Sequence, residues 1–202
     1  RRQRQMCIRD RLRPMTQVLS AFLFLFCSWG VIGCYGTFFL YFKDILLMQH
    51  SASDVAWIGS IQQFLAVLVG ILTSKWVDYG YMYAMCTVGS ILIVLGIMMN
   101  GQGTEYVHIF FSHGVCVGVG TGLIYLPCIT CCSEYHHQKP GVALGLATLG
   151  SSLGSLIFPI MFNKLQPNIG YAWTIRIIGF LVMGLLLLAL LLLRPRSRAI
   201  ES

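Results

Sequence analysis

Few side chains in this 202-residue chain have the types and spacing to do chemistry. Cys128-x-x-Cys131-Cys132, followed by His136-His137, offers the donor types of a zinc site. An isolated C-x-x-C lacks the second paired ligand motif of common zinc sites, and the competing reading is a helix end where Cys packs as a small apolar residue. No metal is assigned. His113 carries a ring whose ordinary titration lies near neutrality. With no acidic neighbour visible in sequence, the reading favoured for it is a packing hydrogen bond between helices. Arg176 lies in the first turn of the last apolar stretch. An ionisable group at such depth reads as functional by default, against a long side chain that snorkels to the surface or pairs with another helix. Gln63 shares a helical face with Gly59, Ala66, Gly70 and Thr73, which reads as a helix seam. No Walker loop, catalytic triad or paired-carboxylate site is recognisable, so neither an enzyme nor a cofactor is expected.

The elements that must position these groups are long apolar helices. Gly141 to Gly154 is the most informative stretch, because small residues recur at helical spacing. Gly141, Gly145, Thr148, Ser152 and Ser155 fall on one face; Ala143, Ala147, Gly150 and Gly154 fall on the face beside it. Such a helix lets neighbouring backbones approach closely, which in lipid replaces the hydrophobic effect as the glue between helices. In water, each glycine would cost the helix roughly 1 kcal/mol. A membrane helix touching neighbours on two sides is therefore expected, with Gly141, Gly145, Gly150 and Gly154 as a packing seam.

The composition agrees. Hydrophobic residues make up 56% of the chain and charged residues only 10%, against about 25% charged in a soluble domain. Six apolar stretches of spanning length are predicted: Gln17–Phe42, Asp54–Trp76, Tyr83–Asn100, Tyr106–Cys132, Gly141–Phe162 and Ala172–Leu193. The first is long enough to be tilted or bent around Gly30, Gly33 and Gly36. The fold class expected is an all-α membrane protein of six transmembrane helices. Its organisation is a basic segment 1–16, a six-helix domain 17–193 and a basic tail 194–202. The chain has no Met at position 1, and Gln5–Arg11 resembles translated adapter read-through, so both ends read as incomplete and part of residues 1–16 as non-native.

The net charge of +7 does not point to nucleic acid, because no continuous basic face with interleaved aromatics is present. Cations instead sort by loop. Arg1, Arg2, Arg4, Arg9, Arg11, Arg13, Lys75, Lys139, Arg194, Arg196 and Arg198 fall on one side, and only Lys43 and Lys164 on the other. This bias puts both ends in the cytoplasm, with the basic end segments against anionic lipid. Most of the eight cysteines fall within the apolar stretches, unlike a secreted disulfide framework.

Together, the six spans and the pattern Tyr135, Lys139, Ala143, Gly145, Ala147, Gly150, Gly154 resemble the N-terminal half of a major facilitator superfamily transporter. More narrowly, they resemble the fungal branch of the monocarboxylate porter family. Departures are His136 where the family has Phe, Leu149 where it has Ala, and Gln138 and Pro140 around the single Lys139. Ser28-Trp29-Gly30, Trp57-Ile58-Gly59-Ser60-Ile61-Gln62, Gly114-Val115-Cys116-Val117-Gly118-Val119-Gly120, Phe158-Pro159-Ile160-Met161-Phe162 and Trp173-Thr174-Ile175-Arg176 extend the resemblance across about residues 17–196.

The resemblance implies two three-helix repeats and solute translocation by alternating access, with a further six-span half completing the carrier. Spans one and four line the central cavity in this superfamily, so Trp29, Tyr35, Phe39 and Tyr125 become the candidate solute contacts. Aromatics with a polar tip suit a flat or carboxylated organic solute; interfacial or lipid-facing aromatics are the alternative. The family packs its fifth span between the two halves, which would put Gly150 and Gly154 there. Ser74-Lys75-Trp76-Val77-Asp78-Tyr79-Gly80 resembles a degenerate form of the Gly-x-x-x-Asp loop that latches the halves, with Asp78 and Lys139 as its charged members here; an ordinary solvated loop acid is the alternative. Animal members carry a first-span lysine where this chain has Gly36, so their lactate/proton mechanism does not carry over. The expected partners are the lipid bilayer, the second half and a small organic solute. That solute is monocarboxylate-like, or alternatively riboflavin-like or a secondary metabolite, and proton coupling stays open. The expected location is the plasma or vacuolar membrane. An inactive fragment or a non-transporting six-span scaffold remains the competing reading.

Overall fold

The structure is a computed structural model that describes the backbone of residues 2–103, 105–135 and 140–193, with side chains described over 15–77, 79–103, 105–132 and 141–193. Every regular element among these residues is helical. Six helical stretches are long and apolar enough to cross a membrane: Met15–Leu46, Ala52–Leu72, Met82–Asn100, Tyr106–Cys132, Gly141–Ile169 and Tyr171–Leu192. The protein is an all-α, six-span membrane protein. Three expected boundaries move by four residues or more. The first span runs on to Leu46 instead of ending at Phe42. The second span ends at Leu72, and Trp76 belongs to a separate short helix, Ser74–Asp78. The fifth helix runs on to Ile169, carrying Pro159 and Pro167 inside it.

Local chemistry sets the ends. Span two opens on a capping box: Ser51 is extended (φ −68°, ψ 153°), its hydroxyl accepts from the Asp54 N–H at 3.2 Å, and the Asp54 carboxylate accepts from the Ser51 N–H at 3.1 Å. Gly80 and Gly170, at φ +86° and +78°, turn the chain ahead of spans three and six in a region that favours glycine. Span one is broken at Cys34, between a helix ending at Gly33 and another running Tyr35–Tyr41, and then loosens into a π-helical stretch, Phe42–Leu46. The bend expected around its glycines falls there. Span four contains a second π-helical stretch, Phe110–Cys116, and Pro127 farther along.

Spans one and four form the centre. Their most apolar windows are 61% and 56% buried, against 28% to 44% for the other four. Span one packs on spans five, four and six; span four packs on spans three and two; span three also packs on span six. Exchanging the first three spans for the last three maps these, the most extensive pairings, onto themselves: one–five onto four–two, one–six onto four–three, with one–four and three–six each returning to itself; the lesser packing of span five on span six has no comparable two–three counterpart. That is the contact pattern of two three-helix repeats.

Small residues make these crossings. A Cβ added to Gly154 would strike the Phe26 carbonyl and approach the Gly30 Cα to 2.8 Å; one added to Gly150 would strike the Phe22 carbonyl. In span four, a Cβ at Gly118 would come within 2.8 Å of the Gln62 carbonyl, one at Gly122 within 2.8 Å of the Ala66 carbonyl, and one at Gly120 within 2.8 Å of the Gly89 carbonyl. Polar ties add to the packing. Ser20 donates to the Ala189 carbonyl at 2.8 Å, Gln17 Nε2 to the Leu192 carbonyl at 3.3 Å, and the Cys131 thiol to Gln17 Oε1 at 3.4 Å. Span one is thus bonded to spans six and four at the end that carries the N-terminus.

Candidate functional site

The aromatic candidates fall into two groups. Trp29 and Tyr125 meet across the central pair of spans, ring centroids 5.2 Å apart and planes tilted by 58°. The Trp29 indole N–H is buried and finds no acceptor. A buried donor without an acceptor is costly, and so marks a place where a polar group can be received. Tyr35 and Phe39 pair roughly two to three turns farther along span one, centroids 6.5 Å apart. The Tyr35 hydroxyl, however, donates to the Val55 carbonyl of span two, and its ring stacks on His113 of span four at 5.9 Å. Its polar tip is committed to tying span one to span two. Of the four candidates, Trp29 alone shows a buried polar group left unanswered.

Two polar residues that the sequence reading passed over are prominent. Gln62 is fully buried with both amide atoms unpartnered, and the hydroxyl of fully buried Thr121 is likewise unpartnered. Gln62 lies against Gly118, and Thr121 sits on the face of span four between Gly118 and Tyr125. The buried face of span two is Gly59, Gln62, Ala66 and Gly70, whereas Gln63 is exposed. The expectation that Gln63 shares the seam is therefore corrected by one residue. The inward face also carries Val55 and Ile58, which centres it on the Gln62 side of Gly59 and leaves Gln63, about 100° round the helix from Gln62, outside it.

The remaining residues are placed as follows. Gly150 and Gly154 are buried against span one, and Ala143 and Ala147 on the same face are also buried, so at Gly150 and Gly154 that face meets a helix of this bundle rather than another half. Gly141 and Gly145 lie on an exposed face, with nothing within 4 Å of an added Cβ. The Arg176 guanidinium lies over the Trp173 ring, 5.2 Å from its centroid, one turn earlier on the same helix. Trp173 is exposed, so the charge sits at the end of span six on an outward-facing aromatic, an arrangement that suits an interface. Asp78 closes the short helix Ser74–Asp78, and its side chain is outside those described; Lys139 lies outside the described residues, as do His136 and His137. Cys128, Cys131 and Cys132 are buried and not joined in a disulfide. Among the described residues, no group of three or more His, Cys, Asp or Glu is placed to hold a metal ion.

A six-span helical membrane protein with an aromatic pair between its two central helices is what fold and site define. The chain matches no family model. It is similar, over about nine tenths of its length, to several curated fungal proteins. It is 38% identical to an MFS-type transporter, dbaD, of Emericella nidulans, with 91% of this chain and 42% of that protein aligned. It is 36% identical to the MFS-type transporter eupM of a Phoma species, covering 90% of this chain and 64% of the relative. It is 35% identical to the fujikurins efflux protein of Gibberella fujikuroi, covering 92% and 40%. The chain thus spans less than two thirds of the length of these curated relatives.

Proposed function

We propose that this chain is the N-terminal six-span half of a major facilitator superfamily transporter that moves a small organic solute by alternating access. The observation that carries the reading is the similarity to MFS-type transporters over about nine tenths of the chain, on a bundle whose span pairings repeat as two three-helix units. The chain accounts for 42% of one such relative, so a second six-span bundle would supply the other wall of the cavity.

Trp29 and Tyr125 are the proposed solute contacts, with Phe39 a further aromatic toward the other end of span one. Tyr35, first expected there, serves mainly to hold spans one, two and four together. An indole N–H with no internal acceptor and two aromatic faces suits a flat, oxygen-rich organic molecule. The monocarboxylate porter resemblance favours a carboxylated solute. The relatives' names favour an exported product, since one of them is a fujikurins efflux protein. We therefore place the solute among carboxylated secondary metabolites. Proton coupling, both termini in the cytoplasm, the plasma or vacuolar membrane, and an Asp78–Lys139 latch between halves complete the proposal.

The test uses the full-length gene in a transporter-deficient host. Efflux and uptake of a panel of aromatic and carboxylated metabolites would be measured per inserted molecule, for wild type, Trp29→Ala and Tyr125→Ala. Saturable movement weakened by both substitutions is expected. Well-inserted full-length protein that moves none of the panel would leave the competing reading, a non-transporting membrane scaffold.

A further inference from the structure

Four of the buried polar atoms without a partner lie where spans one, two and four meet: the Trp29 indole nitrogen, both amide atoms of Gln62 and the Thr121 hydroxyl. They share a depth. Gln62 is the central residue of Ala52–Leu72, and Trp29 and Thr121 each stand within two residues of the middle of their spans, Met15–Leu46 and Tyr106–Cys132. Contacts make them one patch. Gln62 lies against Gly118. Thr121 is about one turn beyond Gly118, and Tyr125 about one turn beyond Thr121. Tyr125 in turn rests on Trp29. Trp29 and Tyr125 are half-buried, Thr121 and Gln62 fully buried. The patch therefore runs inward from the solute contacts already proposed, and the inference rests on that reading.

The middle of a bilayer is the costliest place for such groups, because no water is there to answer them. Polar side chains at that depth are functional by default, and carriers bind their solutes there, between helices. The Gln62 amide fixes the chemistry, since it presents a donor and an acceptor side by side. An ionised carboxylate has acceptors only, so it would answer Nε2–H and set its lone pairs against Oε1. An undissociated carboxylic acid or a primary carboxamide carries the complementary acceptor and donor, and closes two hydrogen bonds with Gln62 at once.

We infer that Gln62 and Thr121 are solute-binding residues, Gln62 pairing with an uncharged carboxylic acid or carboxamide group and the Thr121 hydroxyl answering a second polar group of the same solute. In the conformation described, this patch is closed. Span four crosses span two there on Gly118 and Gly122, with no side chain of its own at the contact. The π-helical stretch Phe110–Cys116 ends just ahead of this crossing, and such irregularities are frequent at functional sites. The solute enters as the spans part.

The test uses the full-length protein in a transporter-deficient host, with aromatic carboxylic acids, their primary amides and their N,N-dimethylamides as probes. Gln62→Met removes both polar atoms at similar length. It should raise the half-saturation concentration of the acid or primary amide about tenfold and leave the maximal rate per inserted molecule within about twofold. Thr121→Val should raise it about threefold, and stands as the test if Gln62→Met does not insert. The dimethylamide lacks the N–H, so Gln62→Met should weaken it less. Acid movement that falls as pH rises assigns the undissociated acid; movement of the amide alone assigns the carboxamide. Unchanged half-saturation concentrations, or a loss of maximal rate alone, overturn the assignment and leave the half-carrier reading standing. A wild type that moves none of the probes counts against that reading instead, and labelling then decides the site. N-ethylmaleimide should react with Gln62→Cys in the inserted full-length protein, read by mass spectrometry on the peptide that carries it. An unlabelled Gln62→Cys beside a labelled Tyr125→Cys overturns the site whatever the transport result.

Discussion

Gly154 and Gly145 belong to the same glycine-rich stretch and have opposite surroundings. A side chain at Gly154 would run into the backbone of span one, whereas one at Gly145 meets open space. Overpacking a close contact costs about 1–3 kcal/mol, so Gly154→Leu and Gly150→Leu should each lower the melting temperature of the purified full chain by roughly 2–12 °C. Gly145→Leu and Leu149→Ala, both on exposed positions, should leave it within about 2 °C, the scale of ordinary surface changes. Fluorescence-detected size-exclusion melting would check the order. A Gly145→Leu loss as large as that of Gly154→Leu would mean that the wrong face has been placed inside. Ser20→Ala removes only a hydroxyl bond to Ala189 and should cost about 0.6 kcal/mol, near the average for hydrogen bonds between membrane helices.

At the scale of the helix, the bundle depends on two crossings of the same kind. Span five rests on span one through Gly150 and Gly154; span four rests on span two through Gly118 and Gly122. Only the first pair lies in a stretch that stands out in the sequence. The repeat relation predicts that Gly118→Leu is at least as damaging as Gly154→Leu, because its added carbon meets the backbone of Gln62 and because span four is the more buried helix. Comparing the monodisperse fraction of the two variants after identical extraction would test this. Parity or a larger loss at Gly118 is expected, and wild-type behaviour at Gly118 would break the equivalence of the two crossings. Span two also depends on its capping box, and Ser51→Ala should cost about 1 kcal/mol without altering the packed faces.

At the scale of the whole molecule, one half-bundle presents one wall. Alternating access needs two bundles rocking about a site between them. A strict monomer of this chain, reconstituted in vesicles, should therefore show no saturable solute movement, and a finite half-saturation constant measured for it would refute the half-carrier proposal. The proposed orientation is tested separately. A cysteine placed at Glu105 should react with an impermeant reagent from outside intact cells, and one placed at Lys139 only after the membrane is opened. The reverse pattern would invert the topology.

The fold class, the number of spans and most of their limits were determined by the sequence alone. The reason is that lipid admits few solutions: a backbone crossing it must bond internally, so apolar length translates directly into helices. Periodic glycines likewise announced a close helix contact at Gly150 and Gly154. What the sequence left open was which helix lies on the other side of each face. That Gly150 and Gly154 rest on span one, that Gln62 and not Gln63 points inward, and that Tyr35 is tied to the Val55 carbonyl were decided only by the tertiary structure. Apolar side chains look alike toward lipid and toward another helix, so hydropathy separates membrane from water but not one neighbour from another. The meeting of Asn100 with His113, from different spans, is of the same kind. Neither residue carries a local signal of the other, and only the packing of spans three and four brings them together.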